Sequence, residues 1–370
     1  MKVFRFFLFI AAISMLIILL SSPLSICSNE KQGLPLYVYL EVHLDNPNYP
    51  DKNTIEDVSK TLRKIAAITE KHDMRATFLT RPQYAEASFK YGDSTLKDLQ
   101  RRGHDIGIHT HLYPHETDSF AEGFNALKAL GISNIISANP GFILRPQMPF
   151  EVKNQMARNF KKTLEEMKEK GIKIYSGSFG QGSYSPYSPF RPAEGYYYPD
   201  PSGVREIKTS TTGPFVALHG VPAGPYMWKK PEGVSPHDLT RSQGFDRQPP
   251  FDPLEPQGMQ NPSVWKEIQE YEIIDAVKPK LEKALRDKAE YYPFAFNFFP
   301  VAIHEIEFIG QKIVDGKKLP VYNKDNKAFI ALDRFLTEII DPLIKEKRIQ
   351  WVTMAELYYK YVEFEKRNLR

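Results

Sequence analysis

Cysteine is almost absent from this chain, since Cys27 is the only one among 370 residues. A single cysteine excludes an internal disulfide and a cysteine-based metal site. Neither sign of charge is in large excess, because the formal net charge is only +4 and the charges are evenly spread. This balance argues against a nucleic-acid partner. Internal repeats and low-complexity tracts are also absent, and the 42% hydrophobic content is ordinary for a globular protein.

One long apolar run occurs at the N-terminus, over residues 6–20, after a short basic segment and before a small, polar stretch. This layout predicts a secretory signal over residues 1–27. The run is short for a membrane span of about 20 residues. Leu24-Ser25-Ile26-Cys27 resembles a bacterial lipoprotein box, although Ile26 replaces the usual small residue. We therefore expect a secreted or envelope-attached protein, with membrane attachment through the N-terminus or acylated Cys27 as an open alternative.

The first half of the chain alternates predicted strands and helices. Residues 36–44 are an apolar strand, a helix follows, and residues 74–80 form a second strand. A second helix over residues 94–102 leads to a third strand over residues 105–109. This rhythm predicts a parallel α/β fold. We expect one domain over residues 34–365.

Residues 176–264 differ in composition, because they are rich in Gly, Pro, Ser and Tyr and contain few regular elements. The aromatic residues are too numerous for a disordered tether. Long loops of this kind commonly line binding sites. The segment is therefore interpreted as a loop-rich insertion.

Histidines are concentrated in one short stretch, since four of the nine lie between residues 103 and 115. His109 ends a predicted strand, and Asp45 follows the end of another, which is where active residues gather in parallel α/β folds. A zinc site needs three or four His, Asp or Glu ligands. Asp45, His109, His111 and His115 are therefore the candidate ligands of a divalent metal, with zinc as the preferred ion.

Each candidate has a structural alternative. A single histidine after a turn is as readily a surface residue as a ligand, and His304, at the end of an apolar strand, would alone be read as a core histidine. His104 is assigned to a structural role at a helix-to-strand turn. Glu41 and His43 lie on the same face of the first strand as Asp45. Ionisable groups on an apolar strand are costly unless they have partners or a function.

The stretch Gly103-His104-Asp105-Ile106-Gly107-Ile108-His109-Thr110 resembles the second motif of the NodB-homology polysaccharide deacetylases (carbohydrate esterase family four), Gly-His-Glu-Ile-Gly-x-His-Thr/Ser-x-x-His. Ala76-Thr77-Phe78 is similar to that family's Ala-Thr-Phe-Phe strand. The end of the first strand, at Asp45, stands where the family carries Asp-Asp-Gly-Pro. The resemblance implies an irregular (β/α) barrel, in which the Tyr/Pro/Gly-rich insertion would wall a sugar groove.

The resemblance also implies an activity, the metal-dependent hydrolysis of N-acetyl groups from a polysaccharide or another N-acetylated glycan. Glu41 or His43 would be the general base. His304 falls where the family has its late catalytic histidine and would be the acid. Arg191, with Arg145 as a rival, would orient the base.

Two departures from the family pattern leave alternatives open. The family's second metal histidine lies four residues after the first, where this chain has Tyr113, so His111 or His115 must replace it. The family's first aspartate, the base, would fall on Leu44 or His43. The alternatives are a catalytically inert carbohydrate-binding relative and a metal-dependent hydrolase of another carbon–nitrogen amide bond.

Overall fold

The computed structural model describes residues 34–46, 49–111, 118–141, 226–227, 270–291, 297–314 and 317–368, with scattered positions between 155 and 177. Its strands are β1 (Leu36–Leu44), β2 (Thr77–Thr80), β3 (Asp105–His111), β4 (Ser137–Gly141), β5 (Ser176–Gly177), β6 (Tyr226–Met227), β7 (Asn297–His304), β8 (Gly310–Val314), β9 (Lys317–Val321) and β10 (Ile349–Trp351). Its helices are α1 (Lys52–Lys71), α2 (Pro82–Tyr91), α3 (Thr95–Arg101), α4 (Phe120–Ala129), α5 (Glu272–Tyr291), α6 (Glu305–Phe308), α7 (Lys327–Phe335), a π-helix (Leu336–Ile340), α8 (Asp341–Lys345) and α9 (Met354–Asn368).

Eight of these strands form one curled sheet in the order β5-β4-β3-β2-β1-β7-β6, with β10 beside the first residues of β1. The pairings are parallel except for that between β6 and β7. Every residue of β1 is buried, as expected for a central strand covered on both faces. The predicted parallel α/β fold is confirmed, and its form is the irregular (β/α) barrel, open as a half-barrel.

Helix α1 shows how local sequence determines the helix start. Asp51 has an extended backbone, and its carboxylate accepts the Thr54 N–H at 2.7 Å. Helix α1 therefore begins at Lys52, and Asp51 satisfies one of the N–H groups that the first turn leaves without a helical partner. The apolar positions recur at helical spacing and pack against the sheet, and they are Ile55, Val58, Leu62 and Ile65.

Gly107 allows strands β3 and β4 to approach closely. A Cβ atom at this position would lie 2.5 Å from the Ser137 carbonyl oxygen and 2.7 Å from Leu79 Cδ2. The backbone oxygen has little freedom to move, so a larger residue would push β4 away. The pairing that glycine permits places His109 opposite Asn139.

A buried carboxylate at the start of β3 ties several elements together. Asp105 Oδ2 accepts hydrogen bonds from Ser137 Oγ at 2.6 Å, from Thr77 Oγ1 at 3.3 Å and from the Ala355 N–H at 3.1 Å. These contacts join β2, β3, β4 and the first turn of α9. Burial raises the pKa of Asp105 to about 6, because desolvation outweighs the stabilisation that the three donors provide.

We expect Asp105 to make folding stability fall as pH rises from about 4 to about 6. In this window the folded state keeps a proton that the unfolded chain, in which the aspartate has its ordinary pKa of 3.8, has released. Relative to Asp105→Asn, the wild type should lose roughly 2–3 kcal/mol of unfolding free energy across the window and no more above it. Denaturant titrations of both proteins at several pH values measure this. If the difference in unfolding free energy between the two proteins stays constant as pH rises, or grows in favour of the wild type, the hydrogen bonds to Asp105 outweigh its desolvation.

Several sequence predictions lie outside the described residues. They concern the signal over residues 1–27 and all of the 176–264 insertion except β5 and β6. The single-domain boundaries also stay a prediction. Within the described part of the chain, no helix is both long enough and apolar enough to span a membrane.

Candidate metal centre and active site

The carboxyl edge of the sheet gathers most of the predicted site residues. His43 lies near the end of β1 and pairs in register with His304, the last residue of β7. Asp45 follows β1 directly, and His109 and His111 lie at the end of β3. These strand ends therefore meet at one edge, as the parallel arrangement requires.

Asp45 is the centre of this cluster. Its Oδ1 lies 2.9 Å from His109 Nε2 and 3.3 Å from His111 Nε2. Its Oδ2 lies 3.2 Å from His304 Nε2. The two Nε2 atoms of His109 and His111 are themselves 3.1 Å apart. One carboxylate oxygen and two imidazole nitrogens thus converge on one point.

The tautomer of His109 follows from its other ring nitrogen. Nδ1 lies 3.1 Å from the Asn139 carbonyl oxygen, and a carbonyl can only accept, so Nδ1 carries the proton. In the neutral ring, the lone pair on Nε2 therefore faces the Asp45 carboxylate. Two hydrogen-bond acceptors at this distance, His109 Nε2 and the Asp45 carboxylate, need either a cation or a shared proton between them. His111 Nε2 can supply the proton.

This donor set fits a divalent metal. Ligands about 2.1 Å from a zinc ion in a tetrahedral site lie about 3.4 Å from one another. The three separations among Asp45 Oδ1, His109 Nε2 and His111 Nε2 are 2.9, 3.1 and 3.3 Å, so small outward shifts would accommodate the ion. Metal ligands must be deprotonated, so binding would displace the proton that bridges these groups.

The electrostatics of the cluster favour the ligand forms of both groups. Burial alone would raise the pKa of Asp45, but the neighbouring imidazoles of His304, His109 and His111 hold that pKa well below its usual range. Burial lowers the pKa of His109 to about 3, and the neighbouring His43 adds to this effect. Asp45 is therefore a carboxylate, and His109 a neutral imidazole, near neutral pH.

Glu41 and His43 form a dyad beside the candidate ligands. His43 Nε2 lies 3.2 Å from Glu41 Oε2, which also accepts from Asn139 Nδ2 at 3.3 Å. An ionised Glu41 carboxylate can only accept, so it would hold the proton on His43 Nε2 and leave Nδ1 with a lone pair. The His43 ring stacks on His109 with a centroid separation of 4.5 Å. Glu41 is the more deeply buried of the two, at 1% exposed against 8%.

His304 lies across the cluster from β3. Its ring meets the His43 ring edge-on, with centroids 5.1 Å apart. Its backbone N–H donates to Glu307 Oε2 at 3.0 Å, and its Nδ1 lies 3.8 Å from Glu307 Oε1. Glu307 therefore fixes the position of His304 from the first turn of α6. A second group of possible ligands, His43, Asp45 and His304, shares Asp45 with the first.

Glu305 contacts the site although the sequence reasoning missed it. Its carboxylate accepts the backbone N–H groups of Asp45 at 2.7 Å and Asn46 at 2.8 Å, which fixes the chain at the end of β1. Burial, together with repulsion from Asp45, raises the pKa of Glu305 to about 7. The sequence signal was an acidic residue next to His304, directly after an apolar strand.

The remaining predicted residues divide into two groups. His104 accepts the Ala76 N–H on Nδ1 at 3.0 Å and contacts Glu70 through Nε2 at 3.0 Å, in line with its predicted structural role. His115 and Arg191 lie outside the described residues, so their assignments as metal ligand and as orienting group stay predictions.

Residues 51–128 match the family model described as Polysaccharide deacetylase. Over this segment the chain is similar to the polysaccharide deacetylase family. The matched segment includes His109 and His111 at the end of β3. It begins after Asp45 and ends before β7, so the family match itself does not reach His43, Asp45 or His304. No curated protein matches the chain.

Several solved structures are similar to this chain. A putative polysaccharide deacetylase from Mycobacterium smegmatis is 11% identical over 90% of this chain and 92% of that one, with a TM-score of 0.43. A family 4 acetyl xylan esterase from Clostridium thermocellum, in complex with a cobalt ion, is 12% identical over 87% and 90%, with a TM-score of 0.37. A CE4 family pseudoenzyme from Bacillus anthracis is 12% identical over 88% and 66%, with a TM-score of 0.37. These likenesses are too distant to assign an activity.

Proposed function

We propose that this protein is a metal-dependent hydrolase that removes N-acetyl groups from a polysaccharide. The observation that carries the proposal is the convergence of Asp45 Oδ1, His109 Nε2 and His111 Nε2 within 3.3 Å of one another at the carboxyl edge of the sheet. These three residues would hold the ion. His111 would replace the family's second metal histidine, whose position in this chain is occupied by Tyr113. Zinc is the preferred ion for two imidazoles and a carboxylate.

The chemistry that a divalent metal supplies in such hydrolases is polarisation of the scissile carbonyl and a lower pKa for the attacking water. The ring of His43 stacks on the His109 ligand, so its Nδ1 lone pair is the best candidate for removing a proton from that water. Glu41 would orient the ring through Nε2, in the way that a carboxylate orients a catalytic histidine in other hydrolases. The geometry therefore supports His43 as the base and Glu41 as its orienting group.

His304 is the proposed acid. As water adds to the acetyl carbon and the carbon–nitrogen bond breaks, the departing nitrogen needs a proton, and the protonated imidazole of His304 would supply it. The products are acetate and a free amine on the sugar. Glu307 holds the His304 backbone and lies near Nδ1, so it would keep the ring directed at the cluster.

The expected partner is an N-acetylated glycan outside the cytoplasm. The N-terminal layout of a basic segment, an apolar run and a small polar segment supports a secreted or envelope-attached protein. Attachment through acylated Cys27 is the alternative to secretion within this proposal. The aromatic residues of the 176–264 insertion are of a kind that stacks on sugar rings.

The proposal predicts metal-dependent release of acetate. Purified protein would be incubated with N-acetylated glucosamine oligomers and peptidoglycan fragments, and acetate would be measured enzymatically. We expect release that is lost after chelation and restored by zinc or cobalt. Fully metal-loaded protein that releases no acetate from any of these glycans would contradict the proposal.

A second candidate is an inert carbohydrate-binding relative. It is favoured by Leu44, which lies directly before Asp45, where the family has an aspartate as base. In that case the metal-loaded protein would bind the same glycans, as measured by calorimetry, and release no acetate. The buried dyad of Glu41 and His43 favours catalysis, because ionisable groups on a central strand are costly without a function.

A further inference from the structure

A buried ion pair lies next to the candidate metal ligands. Arg81 Nε donates to Asp118 Oδ2 at 2.7 Å, and the two side chains are only 2% and 5% exposed. Arg81 follows β2 directly, and Asp118 lies two residues before α4. Neither residue was singled out by its sequence context, and neither has a part in the proposed chemistry.

The pair contacts the main chain of two candidate ligands. Arg81 Nη1 donates to the Asp45 carbonyl oxygen at 3.2 Å. Asp118 Oδ2 accepts the His111 backbone N–H at 3.3 Å. A continuous path of three hydrogen bonds therefore runs from the end of β1 to the end of β3, although Asp45 and His111 are far apart in sequence.

The buried pair of Arg81 and Asp118 is energetically costly if its only role is to stabilise the fold. Removing two charges from water carries a large desolvation penalty, and apolar side chains of similar size commonly replace a buried pair without loss of stability. What an apolar pair could not provide is the donor for the Asp45 carbonyl and the acceptor for the His111 N–H. Gln83 adds a further constraint, because its Nε2 donates to Asp118 Oδ1 at 2.6 Å.

We propose that Arg81 and Asp118 are positioning residues that set the separation of Asp45 and His111, so that the ligand triangle is preformed before the metal binds. This inference rests on the proposed function, because it requires that Asp45 and His111 are ligands. Groups that orient metal ligands typically contribute 10- to 100-fold to metal affinity. A preformed triangle would also keep the coordination geometry in one defined form.

The test is cobalt binding to Asp118→Asn and Arg81→Lys, followed by the visible absorption of the bound ion and by calorimetry. We expect roughly 10- to 100-fold weaker affinity and an altered absorption spectrum in both variants. Glu70→Gln is the control, because Glu70 pairs with Arg102 and His104 away from the strand ends and should leave affinity and spectrum unchanged.

The outcomes separate this inference from the proposed function. If the wild type binds cobalt and the folded variants bind it with the same affinity and spectrum, the positioning role is overturned and the metal site stands. If the wild type binds no cobalt, both proposals fail. If either variant does not fold, Gln83→Leu takes its place, because it loosens Asp118 without leaving a buried charge unpaired. A cobalt affinity in Gln83→Leu equal to that of the wild type would also overturn the positioning role.

Discussion

Replacing His43 with alanine is expected to lower kcat for acetate release by about 10²- to 10⁴-fold while the protein keeps its metal. The reason is that His43 Nδ1 is the proposed proton acceptor, whereas the proposed ligand atoms belong to Asp45, His109 and His111. Glu41→Gln should have a smaller effect, because the amide can still contact His43 but no longer stabilises its charged form. Steady-state kinetics on one glycan, with metal content measured for each variant, test the order of the two effects.

The same series decides between the two candidates for the base. Glu41 is the base, and His43 an auxiliary group, if two results are found together. Glu41→Gln must lower kcat as much as His43→Ala does, and it must also remove the fall of kcat/KM at low pH. His104→Gln is the control, since His104 is a buried histidine that contacts Glu70 and the Ala76 N–H rather than the cluster. It should keep wild-type kcat per folded molecule.

Replacing His109 with alanine is expected to abolish stoichiometric binding of a divalent metal and, with it, all acetate release. His109 is the proposed ligand whose tautomer is fixed by Asn139 and whose Nε2 lies nearest to Asp45. Removing it leaves one carboxylate and one imidazole, which is too few ligands for a tight zinc site. Elemental analysis after desalting, and calorimetric titration with zinc, measure the loss.

The control for this experiment is His104→Ala, which removes another histidine of the same short stretch. That variant should be less stable, because the Ala76 N–H and Glu70 lose a partner, but it should bind one metal per chain. Full metal binding by folded His109→Ala would show that the ion is held elsewhere, for example by His43, Asp45 and His304.

The sequence predicted the core of the fold because its strands are strongly apolar and its helices are amphipathic. Strand β1 is apolar along its length and helix α1 is amphipathic, so the spacing of apolar residues predicts which of their side chains are buried. Strand β4 was missed, because Ser-Ala-Asn-Pro-Gly has little strand propensity. It pairs with β3 because Gly107 allows close approach, a tertiary effect that local composition does not show.

The candidate site was predicted in part for a similar reason. Histidines and acids at strand ends are visible in a sequence, so Asp45, His109 and His304 could be placed at one edge of the sheet. Which histidine lies beside His109 depends on the direction of the chain after β3, and the structure places His111 there. Arg81 and Asp118 could not be found, because they contact backbone atoms of residues distant in sequence, and such contacts leave no local sequence pattern.

The central claim is that Asp45, His109 and His111 hold a divalent metal. Anomalous diffraction at the zinc or cobalt absorption edge, from crystals grown with that ion, tests it most directly. The account predicts one strong peak per chain within about 2.0–2.2 Å of Asp45 Oδ1, His109 Nε2 and His111 Nε2. The absence of a peak at this triangle, or a peak bound only by other residues, would contradict it.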